Sequence, residues 1–237
     1  MPPIRRKKLP VPWIIGGCAG LILVGIFGSM LLSMIYHKLK GAVDRVEMRQ
    51  AATAVPTGWR RFENSLETTP AGLKANFVPF SFTYPEKFVP TPIETNFIKV
   101  EERLTDEGGA FTLENFSVGY ITLPAGPESD AVYTGLLNDL SRAQAAGIPN
   151  YREIVQFPEE VAGQRGRALL FEGEVKNSPK GDVRVFGKVI VARKARAERG
   201  VAIFMLATSL DPEVKEVRDL GEKGELASIL DSFEFGN

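Results

Sequence analysis

Paired acids are the residues of this chain with the plainest capacity for chemistry: Glu101-Glu102, Asp106-Glu107 and Glu159-Glu160. Two carboxyl groups that face one another can act as acid and base across a glycosidic bond, or hold a hard cation through oxygen. Neighbours along a strand point to opposite faces, so none of these pairs is a ready-made dyad. A Ca²⁺ site would need more oxygen ligands than the pairs themselves supply. A solvated face is the expected role of all three.

Other catalytic groups are scarce. His37 is the single histidine, at the edge of a long apolar run. Histidine is the side chain that most often moves protons near neutrality, so a serine–histidine pair and a histidine metal site are excluded beyond that point. Cys18, the single cysteine, lies inside the apolar run, which excludes an internal disulfide and a cysteine metal site. The stretch from Gly181 to Lys188 superficially resembles a phosphate loop. It has one residue too many between its glycines, and Val189 stands where a Mg²⁺-binding hydroxyl is needed. Gly163-Gln164-Arg165-Gly166 resembles the GxxG clamp of an RNA-binding KH module. The residues after it alternate as a strand, where that module requires a helix, so a simple turn is expected. No catalytic residue, metal ligand or cofactor is expected.

A basic cluster, Arg193, Lys194, Arg196 and Arg199, falls on an expected hairpin tip. Cations there could meet lipid headgroups or an acidic partner. Ordinary solubility of a turn is the competing reading.

These groups must be carried by the elements around them, and the chain divides sharply. From Trp13 to Tyr36 run 24 residues without a charge. As a helix they would extend about 36 Å at about 1.5 Å per residue, enough for a hydrocarbon core of about 30 Å. Secretory signals have shorter apolar regions and a small-residue cleavage site, which His37-Lys38-Leu39-Lys40 does not offer. A retained single span over residues 13–36 is therefore expected. Arg5, Arg6, Lys7 and Lys8 precede it, and Lys38, Lys40, Arg45 and Arg49 come after it. The first four are contiguous, which favours residues 1–12 as a cytoplasmic tail and a periplasmic carboxy-terminal domain at the inner membrane. Gly16 and Gly20 form a G-x-x-x-G pair, and Gly25, Ser29 and Ser33 recur every four residues. Such a stripe lets another helix approach closely, although glycine is also common in membrane helices generally.

Residues 1–40 carry six basic and no acidic groups, leaving the remainder at a net charge of −6. A nucleic-acid partner is not expected of so acidic a domain. Residues 37–75 read as a stalk or linker, punctuated by Pro56 and Gly58, and residues 76–237 as one domain.

Within that domain, Phe80-Ser81-Phe82-Thr83-Tyr84 alternates as a half-buried strand does. Strands are also expected over 97–100, 112–121, 151–157, 167–176, 183–192 and 201–208, with connections at Gly108-Gly109, 177–181 and 194–200. A helix should start at Ser129 or Asp130, bury Val132, Leu136, Leu137, Leu140 and Ala143, and stop at a left-handed Gly147. A second helical region should begin at Asp211-Pro212-Glu213, break at Gly221 and Gly224, and bury Leu226, Ile229, Leu230 and Phe233. Strands joined by hairpins with segregated helices indicate an α+β fold around an antiparallel sheet.

The order of these pieces resembles the PsbP-like domain family. Phe80-Ser-Phe-Thr-Tyr-Pro-Glu-Lys-Phe88 is similar to that family's aromatic strand running into a proline. The step Val161-Ala-Gly163-Gln-Arg-Gly-Arg-Ala168 before Leu169-Leu-Phe171, the strand from Val201 to Ala207 and the closing Ile229-Leu-Asp-Ser232-Phe233 come in the same order. The likeness covers about residues 76–235. It implies an α/β/α sandwich outside the cytoplasm, non-enzymatic, whose best-known member is an assembly and stability factor of a photosystem. The chain departs from the family in having no histidine in this region and in carrying a span. The combined expectation is a membrane-anchored accessory subunit with membrane-protein partners. A solute-binding sensor is the alternative, and a carboxylate-dependent hydrolase the more distant one, to be marked by two buried acids in contact with a raised pKa.

Overall fold

The computed structural model describes residues 55–91, 95–107, 109–124 and 129–236. The expected tail, span and first part of the stalk lie outside them, and with them Gly16, Gly20, Gly25, Ser29 and Ser33. Among the described residues no helix is long and apolar enough to cross a membrane.

Every strand expected in the domain forms. Strands β4 (Ile98–Asp106), β5 (Gly109–Thr122), β6 (Arg152–Val161), β7 (Gln164–Ser178), β8 (Gly181–Ala192) and β9 (Arg199–Thr208), with the short β3 (Val89–Pro90), make one seven-stranded antiparallel sheet. Its order is β3-β4-β5-β9-β8-β7-β6. Gly163 lies in a tight turn with Ala162, both at positive φ, which brings β7 back on β6. The GxxG stretch is thus a hairpin, and the Gly181–Lys188 stretch is strand β8.

One face of this sheet is covered by helix α1 (Asp130–Gly147), capped by the Ser129 side chain, which accepts from the Val132 N–H. Tyr133 and Leu137 pack on Leu169, Phe171, Val189, Val191 and Ala202. The buried stripe runs through Tyr133, Leu137 and Ser141, while Ala143, expected inside, is exposed. The helix is turned that way because Ser141 Oγ is held by Tyr151 Oη at 2.7 Å and donates to Glu153 Oε2 at 2.8 Å. Gly147 does not take the left-handed stop; Ile148 is extended and the left-handed residue is Asn150. Ile148 lodges against Gly173 of β7, where a Cβ would overlap its side chain, so tertiary contact fixes how the helix ends.

The other face is closed differently from the α/β/α expectation. Strand β2 (Phe80–Pro85) lies between β1 (Trp59–Asn64) and β10 (Glu234–Phe235) in a three-stranded sheet, joined by a short helix α2 (Gly224–Asp231). The linker expected over 37–75 therefore ends earlier: residues 59–64 pair with β2, and Ala71–Asn76 form a 3-10 turn with Leu73 buried. From Val55 onward the chain is one compact unit. As a central strand, β2 is buried on both sides, and its polar alternates are used: Arg61 donates to Ser81 Oγ at 2.7 Å, and the Thr83 N–H donates to Ser232 Oγ at 2.9 Å. The helix expected from Asp211 shrinks to one 3-10 turn, Val217–Asp219, because the Asp219 carboxylate accepts from the Lys215 and Glu216 N–H groups and closes it. Left-handed Gly221 lies between that turn and α2, whose first residue, Gly224, is left-handed as well.

Strands β8 and β9 run through the middle, buried on both faces. Gly187 of β8 sits opposite Phe171 of β7, whose ring occupies the space a Cβ would need. Gly187→Ala is expected to lower the unfolding free energy by about 3 kcal/mol, the upper end for overpacking. Urea unfolding of the variant beside the parent checks this.

Candidate functional site

Where β4, β5, α2 and two connections meet, the fold gathers carboxyl groups from remote parts of the chain. Glu102 of β4 and Glu114 of β5 are direct cross-strand partners and so share a face. A bulge beside them, between Glu102 and Arg103, leaves Leu113 without a partner on β4. Glu225 comes from the first turn of α2, and one carboxylate oxygen from each of Glu102, Glu114 and Glu225 lies within 4.8 Å of the others. Asp211, in the connection after β9, is buried, and its Oδ1 accepts from the Glu213 N–H at 2.7 Å.

One cation answers this charge. Lys87, in the turn after β2, places its ammonium 2.7 Å from Glu225 Oε2 and 3.0 Å from Glu102 Oε2. Burial works against the charged form, yet hydrogen bonds to Glu225 and Glu102 outweigh it and raise its pKa above the ordinary lysine value. Glu114 has no such partner. It is 2% exposed, and its Oε1 makes no hydrogen bond. Burial, followed by the charge and hydrogen bond of Asp211 and then the charges of Glu225 and Glu102, pushes its carboxyl up to about 9. At neutral pH the cluster therefore holds a proton on Glu114 beside Asp211. Gly224, with φ of +69°, leaves space at this point: a Cβ would lie 3.2 Å from Glu213 Oε2 and 3.5 Å from Glu114 Oε1.

The sequence-level acidic pairs are split as strand geometry requires. Glu101 points away from Glu102, is buried, and is held by Lys99, Thr91 and Arg103. Although burial raises its pKa, those partners lower it overall. A solvated face is thus wrong for Glu101. It is also wrong for Glu159, whose Oε2 lies 3.0 Å from the buried Lys188 ammonium, itself 5.7 Å from the centre of the Phe157 ring. Glu160 and Glu107 are exposed.

The basic cluster does not form one surface. Arg193 is only 3% exposed and donates to the Ala197 carbonyl at 2.9 Å, so it braces the β8–β9 connection instead of facing a partner. Lys194, Arg196 and Arg199 are exposed. Lys194 donates to the Gly236 carbonyl at 2.9 Å, and with Arg199 it borders an open groove of about 310 Å³ floored by Phe77, Val78, Pro79 and Phe235.

Sequence reasoning missed Glu114, Asp211, Glu225 and Lys87. Continued without a break from the Asp106–Gly109 pair, the ladder would set Glu102 opposite Leu113; the bulge slips the register by one residue and brings Glu114 opposite instead.

No protein-family model matches the chain, and no curated protein matches it in sequence. Among solved structures, the chain is similar to cyanobacterial PsbP (CyanoP) from Synechocystis, with TM-score 0.44, 14% identity, and 76% of this chain and 94% of that one covered. It is also similar to the Ran-binding protein Mog1p of Saccharomyces cerevisiae (TM-score 0.41, 14% identity, 66% and 89% covered). LpqN, involved in cell envelope biogenesis of Mycobacterium tuberculosis, is a further likeness (TM-score 0.34, 12% identity, 78% and 82% covered). At such TM-scores these likenesses carry no functional argument.

Proposed function

We propose that the chain is a membrane-anchored, non-catalytic binding domain, an accessory subunit of a larger membrane complex. The observation that carries this reading is the run of 24 uncharged residues from Trp13 to Tyr36 ahead of one compact domain. In it, residues 13–36 span the inner membrane, residues 1–12 stay in the cytoplasm, and the domain works outside. The tether raises the domain's effective concentration at a partner on the same membrane surface, so modest contacts suffice. The stripe Gly16, Gly20, Gly25, Ser29 and Ser33 packs on a neighbouring helix. The order of the PsbP-like sequence pieces supports a PsbP-like role, which in a photosynthetic organism would be assembly or stabilisation of a photosystem.

The Glu114–Asp211 contact is the mark set for a carboxylate-dependent hydrolase. That reading needs a substrate to reach both acids. Glu114 is 2% and Asp211 7% exposed, so little of either acid is open to a substrate, which weighs against that reading.

Isolation of the full chain from membranes in mild detergent, with identification of the proteins that accompany it, tests the proposal. The expected result is retention in the membrane fraction with a partner in near-equal amount. Recovery of the whole chain from the aqueous fraction without detergent, or as a lone monomer under conditions that keep membrane complexes intact, overturns it.

A further inference from the structure

We infer that Glu102, Glu114 and Glu225 form a binding site for a calcium-sized divalent cation, with the Lys87 ammonium as its built-in competitor. The inference is independent of the membrane reading above. Its first support is geometry. Oxygens sharing one Ca²⁺ at about 2.3–2.6 Å can lie up to about 5 Å apart, whereas Mg²⁺ at about 2.1 Å demands separations below about 4.2 Å. The three carboxylate oxygens lie within 4.8 Å of one another, inside the limit for Ca²⁺.

The second support is the state of Glu114. Its side chain is 2% exposed, yet Oε1 has no hydrogen-bond partner. A buried polar oxygen left unpaired costs free energy, and such an oxygen beside other carboxylates is the arrangement a cation would satisfy. The third is Lys87. Its ammonium already bridges Glu225 and Glu102 at 2.7 and 3.0 Å, so a positive charge is held at this place even without a metal. The Lys87 side chain is half exposed and can swing out to water when a divalent ion arrives. Glu114 also shares a hydrogen bond with Asp211, so a cation that binds its carboxylate displaces the proton held there. An all-oxygen donor set selects hard cations over zinc or copper.

Calorimetric titration of the full-length chain, in detergent and stripped of metal with a chelator, tests this with CaCl₂ and then MgCl₂. One saturable Ca²⁺ site is expected, with Kd on the order of 0.1–1 mM, the range of weak extracellular calcium modules. Mg²⁺ should bind at least about tenfold more weakly. Lys87→Met removes the competitor and should tighten Ca²⁺ binding about tenfold. Glu114→Gln and Glu225→Gln should each weaken it tenfold or more, with thermal melts confirming that both variants remain folded. Glu225 lies on an outer helical turn, so its variant tests the site even if a strand substitution perturbs the fold. Absence of a saturable site up to about 10 mM, ten times the weakest Kd expected, overturns the inference. So does binding that is unmoved by Glu225→Gln, or Mg²⁺ binding as tight as that of Ca²⁺.

Discussion

Glu114→Gln is expected to stabilise the metal-free protein at pH 8 by about 2–3 kcal/mol and to leave its stability unchanged near pH 4. In the folded chain, burial and the neighbouring Asp211 keep the Glu114 proton in place up to about pH 9, whereas the ordinary glutamate value is 4.5. Between those two values folding must take up a proton. Stability contributed at this position is therefore full below the unfolded value and falls as pH rises toward the folded one. Each pH unit is worth about 1.4 kcal/mol at full strength. Water reaching the cluster past half-exposed Lys87 screens part of that. Glutamine copies the shape and hydrogen-bonding capacity of the protonated acid and has no proton to lose in the unfolded chain. Glu101 acts with the opposite sign. Its partners depress its pKa, so its contribution is present above the ordinary value and fades as the pH falls. Urea unfolding of parent and variant at both pH values checks the prediction. Equal destabilisation at the two would mean that Glu114 is ionised in the fold.

The largest single loss is expected at Phe82. Its ring is fully buried, with ring centres 5.0 Å from Phe116 of the large sheet, 5.5 Å from Phe62 of β1 and 5.9 Å from Tyr84. It thus ties the small sheet to the large one. Phe82→Ala removes those contacts and leaves a cavity that neighbouring rings cannot fill, at a cost of about 3–5 kcal/mol. Phe235, on the short outer strand and only half buried, provides the contrast: Phe235→Ala should cost less than half as much. Chemical unfolding of both variants measures the difference. Similar losses at the two positions would mean that the layers are not joined chiefly through Phe82.

Residue order was sufficient to identify β2 and β4 to β9, because period-two alternation and glycine-rich connections are local signals. Phe80 to Tyr84, the Val161–Ala168 step and the long runs of β8 and β9 needed no partner to be read. It was also sufficient to exclude histidine and cysteine chemistry, since those side chains are absent from the domain. Strand β1 escaped notice because Trp59-Arg60-Arg61-Phe62 carries too much charge for a half-buried run. It is a strand because β2 offers it an edge. The C-terminal helix starting at Asp211 failed for the complementary reason: Asp219 captures two backbone N–H groups, and left-handed Gly221 and Gly224 interrupt the chain beyond it.

The acidic cluster belongs wholly to three-dimensional folding. Lys87, Glu102, Glu114, Asp211 and Glu225 come from five separate segments, and no spacing along the chain marks them as a set. A single extra residue at Leu113 decides that Glu114, instead of its apolar neighbour, faces Glu102. Side-chain alternation is written within a few residues, so the chain announces it locally. Register and layer packing depend on which surfaces exclude water together, and only the assembled core determines that.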